Sequence, residues 1–145
     1  MNIKGTCYFS KLHNEHVIVI ISDTNEQNNV LLVPLSSIKF VPNGKSLYNN
    51  LNCSPYDSAC TLEQGDIISD KNINVITKST YVLYKRAQEI NIDKLNLAQL
   101  QGLLEYRCIV SNEILVKIQE GAKNQSICKN DFINILIYFS FYFSI

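Results

Sequence analysis

The sequence predicts a mainly β domain with helices added at its C-terminal end, and three observations carry that reading. Two apolar runs, residues 17–21 (VIVII) and 30–35 (VLLVPL), flank a polar stretch, SDTNEQNN, that favours a turn. Between Ala59 and Leu83 several short strand-forming runs succeed one another, separated by polar turns, which is the spacing of a small barrel or sandwich. From Asn96 the apolar residues recur at intervals of three and four, the period of an amphipathic helix.

Taken in order, residues 4–9 (KGTCYF) are rich in strand formers and predict the first strand, with Gly5 allowing a bend or bulge. Residues 10–14 turn the chain into the hairpin formed by the two apolar runs. Neither run alternates apolar with polar residues, so both strands are expected to be covered on both faces, as in a small barrel. His13 and His16 bracket the first turn as HNEH. Imidazole is the side chain that changes charge near neutral pH, so the pair suits metal ligation or acid–base work. Without a third ligand the ordinary reading is a solvated turn, and His16, which enters the strand, is the better placed of the two.

After the second strand and Ser36-Ser37 come residues 42–56, an irregular stretch with turn signals at Asn43-Gly44 and Ser54-Pro55. A loop of that length is a candidate lid or partner-binding segment. Short strands are expected at 59–62, 66–69, 74–77 and 79–83. Around the last of these, Tyr81 and Tyr84 interleave with Lys85 and Arg86, which predicts a face that is aromatic and basic. Its ordinary alternative is a solvated strand end. Leu97, Leu100, Leu103 and Leu104 form a helical stripe weakened by Gly102. Ser111 is a sound N-cap for a second helix, with Glu113 in its first turn, Ile114, Leu115 and Ile118 on one face, and Gly121 as a stop. Residues 1–125 are expected to carry the fold as a single domain, with 126–145 an apolar tail. The tail's aromatic core, FINILIYFSFYFSI, would reach roughly 21 Å as a helix, short of the ~30 Å hydrocarbon core, so no membrane span is expected.

The chain has 145 residues, enough to bury roughly 68–70% of its unfolded surface in one core. Lys+Arg and Asp+Glu are equal at 13 each, so any nucleic-acid function must rest on a local patch and not on net charge. The five cysteines are odd in number and never fall in a CxxC pair. They read as reduced core residues, with no metal, cofactor or disulfide framework implied. No apolar leader comes after Met1, so a cytoplasmic location is expected.

The hairpin and the segments after it resemble the SH3-like small β-barrel of the MazF/PemK/Kid type of toxins of toxin–antitoxin systems. The likeness covers roughly residues 3–90. It rests on an apolar strand running into polar loop residues (VIVIISD) and a second strand ending Pro34-Leu35-Ser36-Ser37. The segments DSACTLEQGD at 57–66 and KSTYVLY at 78–84 also resemble small bacterial proteins related to that superfamily. The resemblance implies an SH3-like barrel plus an α-helical addition, and sequence-selective cleavage of single-stranded RNA without a metal. The family's characteristic hydroxyl falls on Ser36. Its arginine falls near Glu15 or His16, where no arginine stands, so that mechanism lacks a main electrostatic contribution unless charge comes from elsewhere. The residues implied in chemistry are therefore His16 as acid or base, Ser36 as phosphate or proton partner, and Lys78 or Arg86 as the charge. Ser37, Tyr81, Tyr84 and Lys85 would contact the RNA.

Two functions stay open on the sequence. One is a toxin-like endoribonuclease or RNA-binding protein with an antitoxin or other protein partner. The other is a non-catalytic SH3-like protein-interaction module of a bacterial or phage system. Charged residues make up 18% of the chain, against about 25% in typical soluble domains, which leaves room for an interface between copies. Light scattering at micromolar concentration is expected to give the mass of a dimer or larger assembly. A clean monomer mass would count against it.

Overall fold

The computed structural model describes residues 4–11, 16–37 and 60–123. The loop at 42–56, the tail at 126–145, His13, Cys53 and Cys128 lie outside them. Within the described residues the strands are β1 (Thr6–Ser10), β2 (His16–Ile20), β3 (Asn29–Ser37), β4 (Thr61–Leu62), β5 (Thr80–Val82), β6 (Gln88–Asn91) and β7 (Leu104–Ile109). A 3-10 turn at Tyr84–Arg86 joins β5 to β6. The helices are α1 (Ile92–Leu100) and α2 (Asn112–Lys123).

The fold is mainly β, and its seven strands form one antiparallel sheet ordered β4-β5-β3-β2-β1-β7, with β6 also paired to β3. The sheet is open and does not close into the barrel the sequence led us to expect. The hairpin forms as anticipated, in register from Val17↔Leu35 to Ile20↔Leu32. Its polar loop is held by side chains. Asn25 Oδ1 accepts hydrogen bonds from the amides of Gln27 (3.0 Å) and Asn29 (2.9 Å), and Ser22 Oγ accepts from Leu31 N (2.8 Å). Asn28 takes the left-handed conformation that asparagine tolerates, with φ of 63°.

Burial on both faces, expected from the unbroken apolar runs, comes from two helices. Val19, Ile21, Leu31, Val33 and Leu35 pack on one face against Leu62, Ile67, Ile76 and the apolar side of α2. Ile18, Ile20, Val30 and Leu32 pack on the other against Leu95 of α1 and Leu104. Covering the sheet from both sides removes the need for it to curl onto itself.

Gly5 does permit a bend. Its φ is 90°, its amide donates to Ile20 O, and its carbonyl accepts from Val110 N. The pairing of β1 with β7 then slips by one residue, from Cys7↔Cys108 to Tyr8↔Tyr106, so Arg107 is a bulge. Cys7, Cys60 and Cys108 are buried thiols outside any disulfide, in keeping with their reading as core residues.

Three expectations about local structure are corrected. Residues 66–69 and 74–77 are not strands. They flank a turn joined by one bridge, Ile68↔Asn74, with Asn72 at φ 63°. The leucine stripe is not the buried face of a helix over 97–104. The helix begins at Ile92, where Asn91 Oδ1 caps the amide of Asp93 at 2.9 Å, and it ends at Leu100, with Gly102 just beyond at a φ of 77°. Leu97 and Leu100 are 54% and 86% exposed, Leu95 is the buried residue, and Leu104 opens β7. Gly121 does not stop α2, which runs on to Lys123. Ser111 does cap that helix, its hydroxyl accepting from Ile114 N at 3.3 Å. Among the described residues no helix is long and apolar enough to cross a membrane.

Gly121 has a packing role instead. The Tyr84 ring reaches α2, its hydroxyl donating to Ile118 O at 2.8 Å, and a Cβ at position 121 would overlap that hydroxyl. Tyr84→Phe removes the buried donor and should lower stability by about 1–3 kcal/mol. Gly121→Ala would favour an isolated helix by about 1 kcal/mol, yet here it should destabilise. The double variant should recover part of the loss because the overlapping oxygen is gone. Strict additivity in denaturant unfolding would count against the contact.

Candidate nucleic-acid groove

Side chains of even-numbered residues in β2 and β3 share the sheet face beneath α1, because successive strand residues alternate faces. The helix covers only part of it. Beyond its edge lies a groove of about 190 Å³, lined by Ser10 of β1, His16 and Ile18 of β2, Leu32 and Pro34 of β3, and Arg86, Gln88 and Ile90. Leu95 and Ala98 of α1 and Leu104 of β7 complete it.

Pairing explains how these residues meet. Ser10 lies opposite both His16 and Leu104. Continuing the β2/β3 register one residue past Val17↔Leu35 sets His16 beside Ser36, which itself pairs with Tyr81. One row across the sheet therefore runs Tyr81, Ser36, His16, Ser10, Leu104. Arg86 arrives by another route. Leu83 N bonds to Pro34 O at 2.9 Å, anchoring the chain to β3, and the 3-10 turn closes with Arg86 N donating to Leu83 O at 2.9 Å. That turn sends Tyr84 into the core under α2 and Arg86 into the groove on the opposite face.

The structure thus brings together two of the four residues implied in chemistry, His16 and Arg86. Ser36 is half-buried and adjacent to His16 in the row, but it does not line the groove. Lys78 is exposed ahead of β5, where its carbonyl accepts the Thr80 hydroxyl at 2.8 Å, and it stands apart from His16 and Arg86. Ser37 pairs with Thr80, which places it on the other face. The side chain of Lys85 is outside the described set. Sequence reasoning missed Ser10 and Gln88. Ser10 was findable only by pairing the first strand with His16, and Gln88 carries no motif.

The expected aromatic face does not form. Tyr81 and Tyr84 are each only 4% exposed, so neither ring offers a stacking surface. Burial, and after it the neighbouring Cys60 thiol, pushes the Tyr84 phenol far above its ordinary range, which keeps it neutral. The alternation read from the sequence fails because the turn at Tyr84–Arg86 breaks the period of two.

Among the described residues, a guanidinium, an imidazole, a hydroxyl and an amide line the groove, and no carboxylate does. On the opposite face, Glu105 engages Lys11 at 2.7 Å and Arg107 at 3.2 Å, and Arg107 also lies 5.2 Å from the Phe9 ring centre. Lys11 foremost holds the Glu105 carboxyl below the usual carboxylate range. Comparison of the chain with protein-family models, curated proteins and solved structures finds no match.

Because both tyrosines are core residues, Tyr81→Ala and Tyr84→Ala should act on stability, by about 3–5 kcal/mol as for other large aromatic truncations. The affinity of the remaining folded protein for single-stranded RNA should not change. A selective loss of affinity, with the unfolding midpoint kept, would restore the aromatic surface.

Proposed function

We propose that this chain is a toxin-like RNA-binding protein related to the SH3-like barrels of the MazF/PemK/Kid toxins, and that it cleaves single-stranded RNA in the groove without a metal. It would act in the cytoplasm, as a homo-oligomer held in check by an antitoxin or other protein partner. The observation that carries this reading is the meeting of His16 and Arg86 in one groove, whose described lining residues include no carboxylate. An anionic backbone is attracted to such cationic and titratable side chains.

The chemistry is internal attack. His16 takes the proton of a ribose 2′-hydroxyl, whose oxygen bonds to the adjacent phosphorus as the bond to the 5′-oxygen breaks. A 2′,3′-cyclic phosphate and a 5′-hydroxyl result, the departing oxygen taking its proton from solvent. Arg86 supplies the positive charge for the phosphorane, in place of the arginine missing near Glu15, and Ser10 and Ser36 flank His16 in the row across the sheet. Positioned acid–base groups contribute about 10²–10⁴ in rate, and the charge on the phosphate adds a comparable electrostatic effect.

A second reading, a non-catalytic protein-interaction module, is favoured by Leu97 and Leu100, 54% and 86% exposed on α1.

His16→Ala should reduce cleavage of a single-stranded RNA by about 10²–10⁴, and EDTA should leave the wild-type rate unchanged. Arg86 is exposed, so Arg86→Ala should leave the chain folded while abolishing both cleavage and growth arrest on expression. Wild-type protein that binds RNA without cutting it would keep the groove and sink the enzyme. Protein that does neither would leave the interaction module.

A further inference from the structure

Two thiols face each other on the side of the sheet turned away from the groove. Cys7 of β1 and Cys108 of β7 are direct partners in the antiparallel pairing of these strands, and both belong to the core beneath α2. Partners in such a pair have Cα atoms about 4.5–5.5 Å apart, within the roughly 4.4–6.8 Å that a disulfide spans. Their side chains leave the sheet on the same face, and the Cys7 thiol donates a hydrogen bond to the Cys108 sulfur. We propose that Cys7 and Cys108 form a redox site, which a peroxide oxidises to a cross-strand disulfide that locks β7 onto β1. This inference is independent of the RNA-binding function proposed for the groove.

The two sulfurs are not equivalent. The hydrogen bond from Cys7 holds the Cys108 thiol below its ordinary range, whereas the same bond, and after it burial, push the Cys7 thiol far above. The thiolate is the nucleophile in sulfur chemistry, so Cys108 reacts first. Its thiolate attacks one oxygen of hydrogen peroxide, the O–O bond breaks, and a sulfenic acid forms while the departing hydroxide takes a proton to become water. The Cys7 sulfur then attacks the sulfenic sulfur, and its proton leaves with the hydroxyl as a second water. Two electrons thus pass from the pair of sulfurs to the peroxide. A dithiol reverses the step by exchange, ending as a disulfide itself.

The place of the pair in the fold sets both access and effect. Cys7 and Cys108 are 0% and 2% exposed, so the oxidant reaches them only through local opening. β7 is the last strand of the sheet, and its ladder with β1 is interrupted at Arg107, directly beside the pair. Edges and bulges are where a sheet opens at least cost. Once formed, the bond closes a loop of about 100 residues, and long loops are those in which a cross-link restricts the unfolded chain most. It also secures the strand from which the chain enters α2. Cys60 lies ahead of β4, at the other edge of the sheet, and stands apart from this pair.

The test treats the reduced full chain with hydrogen peroxide, alkylates the remaining thiols in denaturant and maps the cysteine peptides by mass spectrometry. A cross-linked species joining the Cys7 and Cys108 peptides, lighter by two hydrogen atoms, is expected. The unfolding temperature should rise by roughly 5–15 °C and return to its starting value with dithiothreitol. Cys108→Ala should show neither the cross-link nor the rise. Should that variant fail to fold, the peptide map and melting curve of the wild type decide alone. The proposal is overturned if peroxide leaves both thiols unreacted, or carries Cys108 to the sulfinic acid without a cross-link. Joining of either thiol to Cys53, Cys60 or Cys128 in place of its partner overturns it as well. A bond between Cys7 and Cys108 that leaves the unfolding temperature unchanged would not be a lock, and it too sinks the idea.

Discussion

Everything in this fold depends on the nine residues of β3 being satisfied on all four sides. One edge bonds to β2, and the other bonds first to β6 and then to β5. Both faces are buried, one by α2 and one by α1. A strand so placed has no backbone group left for water and tolerates apolar residues at consecutive positions, which is why VLLVPL can run unbroken. The single proline within it, Pro34, still offers its carbonyl to Leu83 N, and that bond is where the chain leaves β5 for the turn.

The turn at Tyr84–Arg86 is the second point on which function hangs. Had β5 continued straight into β6, Tyr84 and Arg86 would have fallen on the same face. The 3-10 geometry instead divides them. Tyr84 locks α2 through Ile118 O and the space left by Gly121, and Arg86 reaches the groove. Core and site therefore share a three-residue hinge of backbone. The backbone that carries Arg86 is held by the same turn that sends Tyr84 to α2.

The bulge at Arg107 separates the cations on the other face from the groove. By shifting register after Cys7, it leaves Arg107 above Phe9 and within reach of Glu105. Lys11 joins the same carboxylate. That charge is neutralised locally and exposed, so it contributes little to stability.

The sequence by itself determined the β character, the central hairpin with its asparagine-rich loop, the two-sided burial of its strands, the bend at Gly5 and the Ser111 cap. Each is written in local chemistry: β-branched runs, side chains that cap their own backbone, and a residue that accepts positive φ. It also offered His16, Ser36, Lys78 and Arg86 as candidates, of which His16 and Arg86 line one groove. Only the tertiary structure decided that they meet, since 70 positions separate them in the chain and the pairing of β3 with both β2 and β6 closes the gap. It decided as well that the leucines of 97–104 split between a solvent-facing helix and a strand, because the edge of β1 was open to pair with residues 104–109. And it put Tyr81 and Tyr84 inside. Alternation along a sequence says which residues share a face, but which face meets solvent is set by what packs against it.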